Sequence, residues 1–199
     1  MRFEPAFDTP APSGPGRRSG GIVPPALQRA LRREAGTFGD VVRTAIVGFE
    51  GGGPVSTVSA PGPEPWSTHL TTELAASALV ERGRAGGHEL LVTADDAALA
   101  QDLLTAVARA GSSDVLRHGG LVRLTAWDGP GGLRGAVLEE VARAKVGGRA
   151  VRVLRCHGLL ASELRWAGEH GGPAILRRLA KARVPGISRR RRPSVESPR

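Results

Sequence analysis

The chain has little of what several classes of protein depend on. Cys156 is the single cysteine among 199 residues, which excludes an intrachain disulfide and a cysteine-rich zinc site. No apolar run approaches about 18 residues, which excludes a transmembrane helix. The N-terminal segment MRFEPAFDTPAPSGPGRRSGG lacks the apolar core of a secretory signal. We therefore expect a bacterial cytoplasmic protein with no membrane span.

Aromatic residues are also scarce, with three Trp, four Phe and no Tyr. Hydrophobic residues nevertheless make up 40% of the chain, and most of them are Ala, Leu and Val. That content and length are enough to build the core of one ordinary domain.

Positive charge is concentrated at the C-terminus. Lys and Arg number 28 against 19 Asp and Glu, which gives a formal charge of +9. Residues 177–199 hold nine basic residues and one acid, or +8, so the rest of the chain sums to about +1. We predict a disordered tail. One hypothesis for it is that Arg189, Arg190, Arg191 and Arg192 bind nucleic acid without sequence preference. The alternative is a solvated tail without a function, because Arg outnumbers Lys 26 to 2, as in an Arg-biased genome.

The composition divides the chain into four segments. Residues 1–22 are rich in Pro, Gly and Ser and are predicted to be flexible. Residues 23–65 are predicted to hold a helix, one or two strands and a Pro-rich connector. Residues 66–183 form an α/β domain, and residues 184–199 form the basic tail.

Hydrophobic periodicity predicts helices that alternate with strands. We predict helices at 26–34, 67–84, 96–110, within 131–146, 159–170 and 173–183, and strands at 41–49, 55–59, 89–93, 121–127 and 149–155. Glycine pairs precede three of these strands at spacings typical of βαβ units. The sequence therefore predicts a mainly parallel sheet with helices on both faces.

Polar residues follow the carboxyl ends of the predicted strands, where ligands bind in open parallel sheets. Asp95, Asp96, Asp128 and His157 are the candidate ligand-binding residues there. An enzymatic alternative uses Asp95, Asp128 and His157 as acid–base groups. The structural alternative is that the aspartates cap helices or turns and that His157 begins a loop.

Other functional sequence signals are missing. The five histidines show no metal-ligand spacing, and Gly51-Gly52-Gly53 is not followed by the Gly-Lys-Ser/Thr of a phosphate loop. No second helix follows residues 26–34 to form a helix-turn-helix. We expect no metal and no cofactor.

Four short segments between residues 66 and 165 resemble MEDS-type, DcmR-like sensory domains. The similar residues are Thr68-His69-Leu70, Gly86-Gly87-His88-Glu89-Leu90-Leu91-Val92, Gly119-Gly120-Leu121-Val122-Arg123-Leu124 and Gly148-Arg149-Ala150-Val151-Arg152-Val153. The resemblance implies a sensory or regulatory domain and adds His69 to the candidate ligand-binding residues. Where the family has an aromatic residue shortly after this histidine, the chain has Thr72, Glu73 and Leu74.

These observations favour a binding domain over an enzyme. The leading hypothesis is a sensory or regulatory domain, in signalling or transcriptional regulation, that binds a small ligand or a signalling protein. The alternative is a nucleic-acid-associated protein that acts through its basic tail.

Overall fold

The computed structural model describes residues 23–36, 42–45, 55–76, 87–110, 116–124, 132–184, 186–188 and 194–195. Within these residues the helices are α1 (Pro25–Ala35), α2 (Ala97–Ala110), α3 (Ala161–His170) and α4 (Gly172–Lys181), with a short 3-10 helix at Leu74–Ala76. The strands are β1 (Val42–Ala45), β2 (Ser56–Pro61), β3 (Ser67–Thr71), β4 (Gly87–Ala94), β5 (Leu121–Arg123), β6 (Leu133–Val146) and β7 (Arg149–Leu160).

The described strands form one seven-stranded sheet in the order β1-β2-β3-β4-β7-β6-β5. Neighbouring strands are antiparallel except for β4 and β7, which are parallel. The prediction of a mainly parallel sheet is therefore wrong, and the protein has a mixed, mostly antiparallel sheet with helices.

The largest error lies at residues 133–146, where we predicted a helix. These residues form β6, which pairs along its length with β7. Gly147 and Gly148 connect the two strands with φ of +56° and +81°, values that fit the tight turn of an antiparallel hairpin. The Ala- and Glu-rich sequence favours a helix locally, but cross-strand pairing and burial override that preference.

The second error concerns the helix predicted from residue 67. Residues 67–71 form β3, which pairs with β2 on one side and β4 on the other. The remainder of that predicted helix, from residue 77 onward, lies outside the described residues. The predicted division into four segments stays a prediction.

Apolar side chains alternate between the two faces of the sheet. Leu90, Val92 and Leu154 pack in the core beneath α2. Leu91 and Val153 point to the opposite face, into the core beneath α1. Helices α3 and α4 form a third cluster with β6 and β7, so α1 and α4 stand side by side over one face.

Part of the predicted disordered tail is packed on this body. Ile187 is 3% exposed and forms an isolated parallel bridge with Ala94. The backbone N–H of Ile187 donates to the carbonyl of Thr93 at 2.9 Å, and that of Val195 donates to the Glu163 carboxylate at 2.9 Å. The prediction of a disordered tail is therefore wrong for these residues.

Candidate ligand-binding cavity

The two predicted aspartates after β4 both have structural roles. Asp96 Oδ1 accepts a hydrogen bond from the backbone N–H of Leu99 at 2.8 Å, which caps the start of α2. Asp95 Oδ2 accepts a hydrogen bond from the hydroxyl of Ser188 at 2.5 Å. The other carboxylate oxygen of Asp95 is buried and has no hydrogen-bond partner among the described residues.

The predicted site residues do not converge. His69 is buried and pairs across the strands with Val92, which faces α2. His157 follows Cys156, another residue of the α2 core, and therefore faces the opposite side of the sheet. Asp128 and Arg189–Arg192 lie outside the described residues.

His69 is held in the protein interior. Its Nε2 atom lies 2.8 Å from the hydroxyl of Ser67, while its Nδ1 atom is buried without a partner among the described residues. Burial lowers the pKa of His69 because the imidazolium ion loses its hydration. The geometry fits a neutral histidine in the core more closely than a ligand-binding group.

A cavity of about 560 Å³ opens between α1 and α4. Its floor is the sheet, its walls are the C-terminal ends of the two helices, and its rim is the turn between β2 and β3. The lining residues are Arg33, Glu34, Ala35, Gly36, Gly62, Pro63, Trp66, Thr68, Thr93, Glu139, Arg155, His157, Leu176, Leu179, Ala180, Arg183 and Val184. A volume of this size is typical of small-molecule sites, and so is the combination of an apolar wall with a few polar groups.

The polar part of the lining is a connected network. Arg155 forms an ion pair with Glu34 and lies 3.9 Å from Glu139. His157 Nε2 donates to Glu139 Oε2 at 2.9 Å, and Arg33 Nε lies 3.0 Å from Glu34 Oε1. Each of the two carboxylates therefore has a cationic or donor partner within the cavity.

The network determines the charge state of Glu139. The hydrogen bond from His157 lowers the pKa of Glu139, and the positive charge of Arg155 lowers it further. Partial burial raises this pKa, but by less than the hydrogen bond from His157 lowers it. Glu139 is therefore ionised at neutral pH.

The strand residues of the floor also bond to one another. Thr68 and Thr93 lie opposite each other on β3 and β4, and their hydroxyl oxygens are 3.0 Å apart. Because a hydroxyl group has one proton and two lone pairs, this pair keeps capacity to accept or donate another hydrogen bond.

Arg183 occupies an unusual backbone position beside the cavity. Its φ is +52°, in the left-handed region that favours glycine. The N–H of Arg183 donates to the carbonyl of Ala180 at 3.0 Å, and that of Val184 donates to the carbonyl of Leu179 at 3.2 Å. This pair of bonds is the Schellman motif that ends a helix, with arginine in the place where glycine is commonest.

Cys156 is excluded from chemistry by its surroundings. The thiol lies in the core beneath α2, and burial raises its pKa to about 12. A reactive cysteine needs an exposed, electropositive environment that lowers its pKa. Cys156 is therefore a small buried residue of the core.

The sequence analysis missed Glu34, Glu139, Arg155 and Arg183. One signal was available, because Arg155 and His157 are two residues apart in a strand whose other residues are mostly apolar. Residues i and i+2 of a strand share a face, so this spacing indicates a polar site on one side of the sheet. No group of three or more His, Cys, Asp or Glu residues in the described part of the chain is placed to hold a metal ion.

Comparison with known proteins gives the fold. No protein-family model matches the chain, and no curated protein matches it in sequence. The crystal structure of the Sufu–Fu complex contains a chain that superposes with a TM-score of 0.60 at 13% identity, covering 85% of this chain and 91% of that one. The crystal structure of Drosophila Suppressor of Fused superposes with a TM-score of 0.59 at 15% identity, covering 86% of this chain and 51% of that one.

The chain therefore spans about half the length of the Drosophila protein. At these identities the likeness establishes a common fold and leaves function to be argued from the site. No comparison bears on the resemblance to MEDS-type domains, which stays a prediction. No helix in the described part of the chain is long and apolar enough to cross a membrane. The chain shares the fold of about half of the Drosophila Suppressor of Fused chain.

Proposed function

We propose that this chain is a cytoplasmic sensory or regulatory domain that acts by binding a small ligand in the cavity between α1 and α4. The observation that carries the proposal is the cavity itself, with an apolar wall at Leu176 and Leu179 and a charged floor at Glu139 and Arg155. Polar groups that converge in an apolar cavity provide orientation and specificity for a ligand.

Binding without catalysis fits the state of the polar groups. Glu139 is ionised and bonded to His157, and Arg155 is paired with Glu34. The buried thiol of Cys156 lies on the other side of the sheet. These groups recognise a ligand by charge and hydrogen bonding, whereas a nucleophile would need an activating base in contact with it.

A thermal-shift screen of the full chain against metabolites tests the proposal. A ligand present at 100 times its dissociation constant adds about 2.7 kcal/mol of stability. The variant Ala180→Phe fills the cavity from α4, and Ala98→Phe makes the same change at an exposed position of α2 outside it. We expect a stabilising compound whose effect is lost in Ala180→Phe and kept in Ala98→Phe. Equal stabilisation of both variants would contradict the proposal.

The second candidate function is regulation through a signalling protein. It is favoured by the shared fold, because one of the similar structures is a complex of Sufu with Fu. This candidate predicts that no small compound stabilises the chain through the cavity. Nucleic-acid binding by Arg189–Arg192 stays a prediction on residues outside the described ones.

A further inference from the structure

We propose that the cavity binds a monocarboxylate with an apolar body and that Arg183 is the residue that pairs with the carboxylate. This inference rests on the proposed function, since it takes the cavity as a ligand site and assigns the chemistry of the ligand. It follows from the charges of the lining, the backbone of Arg183 and the apolar wall.

The first argument is the balance of charge within the cavity. The charges of Glu34 and Glu139 are balanced by those of Arg33 and Arg155, and His157 donates a hydrogen bond to Glu139. Arg183 is exposed, lines the cavity, and has no side-chain hydrogen bond or ion pair with another described residue. It therefore supplies the uncompensated positive charge of the described lining.

The second argument is the backbone position of Arg183. Glycine adopts a φ of +52° more readily than any residue with a Cβ atom, so arginine destabilises this helix end relative to glycine. Strained backbone is retained where the side chain has a use that compensates for it. An arginine that lines a cavity has such a use, because a guanidinium group binds a carboxylate through two parallel hydrogen bonds.

The third argument selects a carboxylate over a phosphate. One free guanidinium matches the single charge of a carboxylate, whereas a phosphate monoester carries nearly two charges at neutral pH. The carboxylates of Glu34 and Glu139 lie in the same cavity and would repel a dianion more strongly.

The apolar residues of the lining determine the chemistry of the ligand beyond its carboxylate. Leu176 and Leu179 of α4, together with Trp66 at the rim, give an apolar surface beside the polar floor. Burial of hydrocarbon there contributes about 25 cal/mol per Å² removed from water. The ligand class is therefore a small acid that carries an alkyl or aryl group.

Four linear probes of six carbon atoms each test this assignment: hexanoate, hexyl phosphate, hexanol and hexylamine. Each is titrated calorimetrically into the full-length chain at neutral pH and low salt. We expect hexanoate to bind most tightly. Tighter binding of hexyl phosphate, hexanol or hexylamine would overturn the assignment of a carboxylate.

Three variants test the role of Arg183 separately from the existence of a ligand site in the cavity. Arg183→Gly relieves the left-handed backbone, so we expect its melting temperature to equal or exceed that of the wild type while hexanoate affinity falls at least tenfold. Arg177→Ala removes an exposed arginine of α4 outside the cavity and should keep hexanoate affinity. Unchanged affinity in Arg183→Gly would overturn the role of Arg183.

Ala180→Phe is the third variant and tests the cavity itself. One outcome is that the wild type binds hexanol or hexylamine more tightly than hexanoate and that Ala180→Phe abolishes this binding. The cavity is then a ligand site, and only the carboxylate assignment fails. If Ala180→Phe leaves the binding of every probe unchanged, or if no probe binds the wild type, the carboxylate proposal is overturned. Unchanged binding in Ala180→Phe also counts against the proposed function.

Discussion

The hydroxyl of Thr71 on β3 donates a hydrogen bond to the buried carboxylate of Glu89 on β4. The same carboxylate accepts the backbone N–H groups of Leu74 at 3.2 Å and Ala75 at 3.1 Å. Glu89 thereby holds the short 3-10 turn that follows β3. Burial raises the pKa of Glu89 to about 7, and these three hydrogen bonds offset part of the shift.

We predict that Glu89 makes stability fall as pH rises. The folded state keeps the proton of Glu89 up to a pKa of about 7, whereas the unfolded chain loses it near 4.5. The free energy of unfolding therefore decreases between these pH values, by at most about 1.4 kcal/mol per pH unit from this group. Urea unfolding from pH 5 to pH 8 measures the slope. Glu89→Gln should reduce it, and Glu169→Gln, an exposed control on α3, should leave it unchanged. Equal slopes in wild type and Glu89→Gln would contradict the prediction.

Glu139 is predicted to act in the opposite direction at acid pH. Its pKa in the folded state is lowered below 4.5, mainly by the hydrogen bond from His157, so its contribution is complete above that pH. The contribution is lost as pH falls through the lowered pKa of the folded state. Glu139→Gln should therefore lose less stability than the wild type between pH 5 and pH 3. A matched acid-unfolding series checks this, and an identical loss in both proteins would show that the bond contributes nothing.

Cys156 is predicted to be unreactive in the folded protein. Its thiol is buried in the core, and its pKa of about 12 leaves almost no thiolate at neutral pH. A colorimetric thiol reagent should label the native chain slowly and the urea-unfolded chain fast. The chain has one cysteine, so the signal reports this site alone. Rapid labelling under native conditions would refute the buried position.

Ile187 is predicted to attach the C-terminal segment to the sheet. It is 3% exposed and bonds through its backbone to Thr93 and Asp95. Ile187→Ala should lower the free energy of unfolding by about 2–5 kcal/mol, and Ile187→Val by about 1 kcal/mol, because each leaves a cavity in proportion to the atoms removed. Urea denaturation measures both. A segment that does not pack would give no change in either variant.

The sequence predicted local elements better than their arrangement. The helix expected at 96–110 is confirmed as α2, and the strand expected at 149–155 is confirmed as the first part of β7. In both segments the hydrophobic periodicity of the sequence agrees with the conformation that tertiary contacts stabilise. The helix expected within 131–146 is wrong because Glu139, Glu140 and Ala142 belong to a strand whose partner, β7, determines its conformation. Because of that error, the hairpin at Gly147-Gly148 was not predicted, and the sheet was predicted to be mainly parallel.

The candidate site depended on that topology. Asp95 and Asp96 were selected because they follow a strand, and the structure confirms that position. Their carboxylates, however, accept hydrogen bonds from Ser188 and from the start of α2. His157 was selected as a residue after a strand, whereas it lies within β7 and lines the cavity. Its partner Glu139 was hidden by the predicted helix. Arg183 carries no sequence signal, because its left-handed backbone depends on how α4 ends.

The most direct test of the account is a crystal structure of the full chain with the compound that stabilises it most in the thermal-shift screen. The account predicts ligand density between α1 and α4, in contact with the sheet floor at His157 and Glu139. Density on the opposite face, beside His69 and α2, would contradict it.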